Sequence, residues 1–165
     1  MQKIRVGFGY DVHRFVKDRE LWIGGILIPN DRGLDGHSDA DVLIHAVCDA
    51  LLGAADLRDI GFQFPDTDPE FKGIDSKVLL SRTMGLIRDK GYEFGNVDVT
   101  VCAERPKLNT YIPQMKGCLA GVIGVEPGDI SIKATTSEKM GFVGREEGIA
   151  AYATVLIYSH TDNNL

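Results

Sequence analysis

The chain has 165 residues, of which 44% are hydrophobic and 25% charged, the size and balance of one globular domain with a real core. Eighteen Lys and Arg against 24 Asp and Glu leave a net charge of -6, which argues against a general nucleic-acid or anionic-membrane binder, since both need a basic face. Mean hydropathy is -0.06, and no run approaches the roughly 18 consecutive apolar residues of a membrane span.

Residues Ile4 to Tyr10 read as a strand and Leu21 to Pro29 as its return, with a loop from Arg32 to Gly36. Ser38 suits the N-cap of a helix from Asp39 to Ala55, in which Val42, Ala46, Ala50, Leu51 and Ala54 recur at helical spacing. The stretch from Asp59 to Gly73 is rich in Asp, Pro and Gly, and a long structured loop of this kind tends to carry function. A second helix is expected over Ser76 to Lys90, stopped by Gly91, and a third over Tyr111 to Val122. Asn96 to Ala103, Ile130 to Ala134 and Ile149 to Tyr158 read as strands, and residues 161–165 as a frayed tail on a single domain, 1–160. The sum is an α+β fold, a small mixed β-sheet with helices packed on one face. Its other face then needs a cover, which oligomerisation provides.

Cys48, Cys102 and Cys118 are odd in number and form no C-x-x-C pair, which argues against a disulfide framework or a Cys-rich zinc site. With no apolar leader before the first strand, the expected location is the cytoplasm.

Four segments have the residue types for chemistry. In Asp11-Val12-His13, strand side chains at i and i+2 point the same way, so carboxylate and imidazole form either half a zinc site or a surface pair. Asp41, His45 and Asp49 share a helix face flanked by Val42, Ala46 and Ala50, so His45 is either a ligand or a hydrogen-bonded core histidine. Cys48 fits a buried free thiol better than a fourth ligand. The run Lys133 to Lys139 leaves a strand with three hydroxyls, two ammonium groups and one carboxylate; it suits phosphate, with Glu138 for Mg²⁺, or is a turn capping a short helix. Ala103 to Asn109 also follows a strand and holds two cations, or is a helix start with Pro106 near its first position.

In register over nearly its whole length the chain resembles the 2-C-methyl-D-erythritol 2,4-cyclodiphosphate synthase family of the non-mevalonate isoprenoid pathway. The resemblance runs from Gly9-Tyr-Asp-Val-His-Arg-Phe15 through Gly36-His-Ser-Asp-Ala-Asp-Val-Leu-Ile-His45 to Gly141-Phe-Val-Gly-Arg-Glu-Glu-Gly148. Asp59-Ile-Gly61, Phe64-Pro-Asp-Thr-Asp68, Arg105-Pro-Lys107 and Ala134-Thr-Thr136 add to it. Where family members often have Gly, this chain has Arg58 and Glu146.

The resemblance implies a lyase that closes 4-diphosphocytidyl-2-C-methyl-D-erythritol 2-phosphate into the cyclic diphosphate with release of CMP. It implies Asp11, His13 and His45 as zinc ligands, Glu138 as ligand of a Mg²⁺ or Mn²⁺ on the diphosphate, and His37 and Thr136 as stabilisers of the transition state. Ser38, Asp59, Gly61 and the loop Phe64, Pro65, Asp66, Thr67 and Asp68 would hold the methylerythritol phosphate. Ala103, Glu104, Arg105, Pro106, Lys107, Leu108 and Asn109, with Ala134, Thr135 and Thr136, would form the cytidine pocket. It further implies a homotrimer around the sheets with active sites between subunits, and a central cavity with Phe142 and Arg145 that takes an isoprenoid diphosphate. A metal-dependent phosphohydrolase and a non-catalytic nucleotide-binding module are the competing readings of the same residues.

Overall fold

The computed structural model describes residues 2–159, so the expected tail at 161–165 lies outside the described residues. Along the chain, β1 (Ile4–Lys17) precedes a hairpin of β2 (Leu21–Ile23) and β3 (Ile26–Ile28), then β4 (Arg32–Leu34) and α1 (Val42–Ala54). The short α2 (Ile60–Gln63) leads through an irregular stretch to α3 (Ser76–Asp89), β5 (Tyr92–Cys102) and α4 (Ile112–Ile123). The chain then forms β6 (Ile130–Thr135), the four-residue α5 (Gly141–Gly144) and β7 (Gly148–Ser159). The main sheet has five strands in the order β4-β1-β7-β5-β6, in which only β5 and β6 are parallel.

Three expectations are corrected. Leu21 to Pro29 is not the return of β1: it folds back on itself as the separate β2–β3 ribbon, turning at Gly24 and Gly25, both at positive φ. The first strand continues past its apolar run to Lys17, because Asp11 to Arg14 keep pairing with β7 and Phe15 to Lys17 pair with β4, which lies inside the expected loop. Ser38 is not the helix cap. Ala40 sits at φ 58° and interrupts the helical path, and Asp41 caps α1 by accepting from Ile44 N. The remaining helices and strands fall within a few residues of expectation.

Helices α1, α3 and α4 all cover one face of the sheet. Alternation along β1 turns Gly7, Gly9, Asp11 and His13 toward α1, while Ile4, Val6, Phe8, Tyr10 and Val12 point the other way and are 41–65% exposed. Tyr152 of β7 joins this open face beside Phe8 and Tyr10. No helix among the described residues is long and apolar enough to cross a membrane.

Candidate active site

Helix α1 lies antiparallel to β1 and almost on its backbone. A Cβ on Gly7 would stand 1.9 Å from the Ala50 carbonyl oxygen, and one on Gly9 1.9 Å from that of Ala46. Two strand residues rise about 6.6 Å and one helical turn about 5.4 Å, so each step along β1 meets the preceding turn of α1. The next steps, Asp11 and His13, therefore arrive under the first turn, where His45 projects. His13 Nε2 is 2.9 Å from Asp11 Oδ2, and His45 Nδ1 is 3.0 Å from the same oxygen and 3.2 Å from His13 Nε2. Among the described residues, these three form the one group of ligand-type side chains close enough to share a metal ion.

The donor set fits zinc. One carboxylate oxygen and two imidazole nitrogens are its ordinary partners, and bonds of about 2.0–2.1 Å in a tetrahedron put donors about 3.3 Å apart. His13 Nδ1 lies 2.5 Å from the Asp35 carbonyl oxygen, which accepts its proton and leaves Nε2 toward the cluster. Gly36 lets the loop pass over this ring, since a Cβ there would be 3.0 Å from His13 Cε1. Burial pushes the Asp11 carboxyl up, but the hydrogen bonds to His13 and His45 outweigh it and hold it well below the usual carboxylate range. Burial opposes protonation of His13, and the bond and charge of Asp11 overcome that and raise it.

The other candidate ligands of α1 have other tasks. The buried Asp41 carboxylate accepts from Gly24 N and Gly25 N at 2.9 and 2.6 Å, tying the β2–β3 turn to the start of α1. Asp49 accepts from Ile60 N at 2.7 Å. Cys48 is buried and free, and burial pushes its thiol up to about 12.

Beside the triad opens a cleft of about 430 Å³, lined by His13, His37, Ser38, His45, Gly61, Phe64 and Asp66 among others. Asp59 caps α2 through Phe62 N, and Asp68 caps the following turn through Glu70 N, so both carboxylates are engaged in holding the loop. Phe64 packs edge-on against Phe71, 5.5 Å between centroids. A second pocket, about 280 Å³, is lined by Ala103, Pro106 to Asn109 and Ala134 to Thr136. Register places His13 opposite Ile149, Cys102 opposite Ala150 and Thr135 beside Cys102. His13 of the triad and Thr135 of the second pocket therefore stand at one end of the sheet, three strand spacings or about 14 Å apart.

Within one chain the triad and the Thr136–Glu138 segment are not brought together; Glu138 is exposed and accepts from Thr136 Oγ1 at 2.7 Å. Glu104 turns away from the second pocket to accept from Ser137 N and Lys139 N, both at 3.1 Å, which pins that segment. The Arg105 side chain extends to Glu146, 3.7 Å away, and Arg145 makes a two-pronged pair with Glu147 at 2.8 and 3.2 Å. Arg58 and Glu146 both sit at positive φ, 67° and 56°. A side chain there costs about 1–2 kcal/mol of backbone preference. Contacts offset it: Arg58 lies 3.9 Å over the Phe62 ring, and Glu146 lies 3.6 Å from Arg32. Sequence reasoning missed the Asp35 carbonyl and Ser76, whose Oγ is 3.0 Å from His45 Nε2. A backbone carbonyl has no signature in sequence, and Ser76 lies far from His45 along the chain.

The YgbB family matches residues 4–158. A relative from Parabacteroides distasonis named 2-C-methyl-D-erythritol 2,4-cyclodiphosphate synthase is 70% identical over 155 residues, 94% of this chain and 96% of its own length. One of the same name from Bacteroides fragilis is 66% identical over 155 residues, 94% and 98% of the two chains. Among solved structures, a bifunctional IspDF from Campylobacter jejuni superposes with TM-score 0.93 at 41% identity, covering 97% of this chain and 43% of that longer one. A 2C-methyl-D-erythritol-2,4-cyclodiphosphate synthase in a CDP-bound form superposes with TM-score 0.85 at 35% identity, covering 93% and 99%. On the match to residues 4–158 and these identities over nearly full length, the chain belongs to the YgbB family, alongside curated relatives named 2-C-methyl-D-erythritol 2,4-cyclodiphosphate synthase.

Proposed function

We propose that the protein is a cyclase of the isoprenoid pathway that converts 4-diphosphocytidyl-2-C-methyl-D-erythritol 2-phosphate to the 2,4-cyclodiphosphate and CMP. The observation that carries this is a three-donor metal triad beside one pocket, with a second, base-sized pocket at the same end of the sheet. The names of the relatives, and the CDP bound to a solved one, support the same substrate class.

An oxygen of the 2-phosphate forms a bond to the β-phosphorus. The bond from that phosphorus to the bridging oxygen breaks, and CMP leaves with the electron pair. No side-chain nucleophile and no water enter, so the protein's work is to fold the substrate in line and exclude solvent. Ser38, Gly61 and the 64–68 loop hold the methylerythritol phosphate, with Phe64 closing one wall. Backbone groups around Pro106 and Leu108 read the cytosine edge, small Ala103 leaves room for the ring, and Lys107 meets the diphosphate. His37 and Thr136 stand by the transferred phosphoryl group and share its developing charge. A zinc ion on Asp11, His13 and His45 and a magnesium or manganese ion on Glu138 would supply the positive charge that an acidic chain lacks at this point.

The exposed apolar row Ile4, Val6, Phe8, Tyr10 and Val12 supports a cyclic homotrimer in which these sheet faces meet. The triad of one subunit then faces the base pocket of the next. Phe142 and Arg145 then approach the axis, where an isoprenoid diphosphate would compete with Glu147 for the guanidinium.

Turnover in ¹⁸O-labelled water tests the reaction type. Cyclisation gives one CMP per cyclic diphosphate and no label in either product. A phosphohydrolase would place ¹⁸O in a linear phosphate product.

A further inference from the structure

The His45 ring is gripped on both edges. Nδ1 faces Asp11 and His13, and Nε2 faces two hydroxyls, Ser76 Oγ at 3.0 Å and Ser38 Oγ at 3.1 Å. A hydroxyl can donate or accept, so proximity alone does not say which ring nitrogen holds a proton. Ser76 removes that freedom. Its hydroxyl donates to Asp39 Oδ1, its amide donates to Asp39 Oδ2 at 3.0 Å, and the Asp41 amide donates to Asp39 Oδ1 at 3.2 Å. An ionised carboxylate has no proton to return. Ser76 Oγ is left with lone pairs toward Nε2, and Ser76 is fully buried. Ser38 imposes no such direction: its Oγ accepts from Ala40 N at 3.1 Å and keeps its own proton free.

We infer that Ser76 and Asp39 are positioning residues for His45. Asp39 commits the Ser76 proton, Ser76 accepts from His45 Nε2–H, and the lone pair of the neutral ring is thereby kept on Nδ1, toward Asp11 and His13. The chain also ties the loop before α1 to the first residue of α3, so ring orientation is fixed by the packing of two helices. This rests on the metal reading above and extends it to two residues that touch neither ion nor substrate.

The test is zinc affinity of the chelator-stripped protein, measured by competition with a chromophoric chelator. It is combined with the proton resonance of His45 Nε2–H in the zinc-loaded protein. Loss of a partner behind a metal-bound histidine weakens binding about 10–100-fold. Ser76→Ala should show that loss, and its Nε2–H signal should broaden or move upfield. Asp39→Ala should do the same, because the Ser76 hydroxyl then has no carboxylate to hold its proton and is free to turn it toward Nε2. Ser76→Thr, which keeps the hydroxyl, should restore affinity and signal, and a merely structural role predicts no such recovery. If Ser76→Ala does not fold, Asp39→Ala and Ser76→Thr decide on the same readouts. Equal zinc affinity in wild type and the folded alanine variants, with an unmoved signal, overturns this inference alone. Wild-type protein that takes up no zinc overturns the metal reading and this inference together.

Discussion

Gly9 lies directly beneath Ala46: a Cβ on the glycine would stand 1.9 Å from the Ala46 carbonyl oxygen and 2.7 Å from the Ala50 amide nitrogen. That contact sets how deep α1 sits on β1, and so whether His45 reaches Asp11 and His13. Neither partner can give way, because both atoms met are backbone.

The first prediction follows from it. Gly9→Ala should force α1 off the strand and lower stability by about 1–3 kcal/mol, the usual cost of overpacking. It should also reduce bound zinc, although Gly9 is no ligand. Urea unfolding and metal analysis of the folded variant check both parts. Unchanged stability would mean that α1 is free to shift.

A second prediction concerns the open sheet face. Phe8 is 65% exposed within one chain and stands at the middle of the apolar row. Phe8→Asp places a charge where three copies would meet, and burying an unpaired charge is costly. Sedimentation velocity should show three chains for wild type and one for the variant. The same sedimentation for both would remove this face from the interface.

A third prediction is an alkaline limit tied to one thiol. Burial raises the Cys48 pKa from 9.0 to about 12. Between those values the unfolded chain has lost this proton and the folded chain keeps it, so the native state binds more protons and stability falls as pH rises. The full slope for one proton is about 1.4 kcal/mol per pH unit. Below pH 9 the group contributes no slope. Cys48→Ala should flatten the decline above pH 9 relative to wild type, measured by urea unfolding at stepped pH. Parallel curves would show that the thiol ionises equally in both states.

Much of this fold is legible in residue patterns. The α1 stripe Val42, Ala46 and Ala50 announces a helix against a sheet, and the β-branched run near Ile149 announces β7. The failures have physical causes. The β2–β3 ribbon was hidden because Leu21 to Pro29 is apolar throughout, while its turn depends on Gly24 and Gly25 accepting positive φ. The length of β1 was hidden because Asp11 to Lys17 owe their strand state to partners distant in sequence. At the site, Asp-x-His and the helix face leave Asp11 and His13 as half a zinc site or a surface pair and His45 as a ligand or a core histidine. The family resemblance joins the three, and whether they converge depends on two glycines that let the helix descend. Ser76 and Asp39 meet only in the folded chain.

The central claim is that zinc half and base-pocket half of each site come from adjacent chains of one ring. The most direct measurement mixes two variants, each first shown to be a folded trimer. His45→Ala spoils the zinc half and Thr136→Ala the pocket half, and each alone should turn over almost no substrate. Unfolded together in equal amounts and reassembled, they should regain about a quarter of wild-type activity, the chance that an intact half meets an intact half in a cyclic ring. If mixed trimers form and activity stays at the level of the single variants, the site is contained within one chain and the account is wrong.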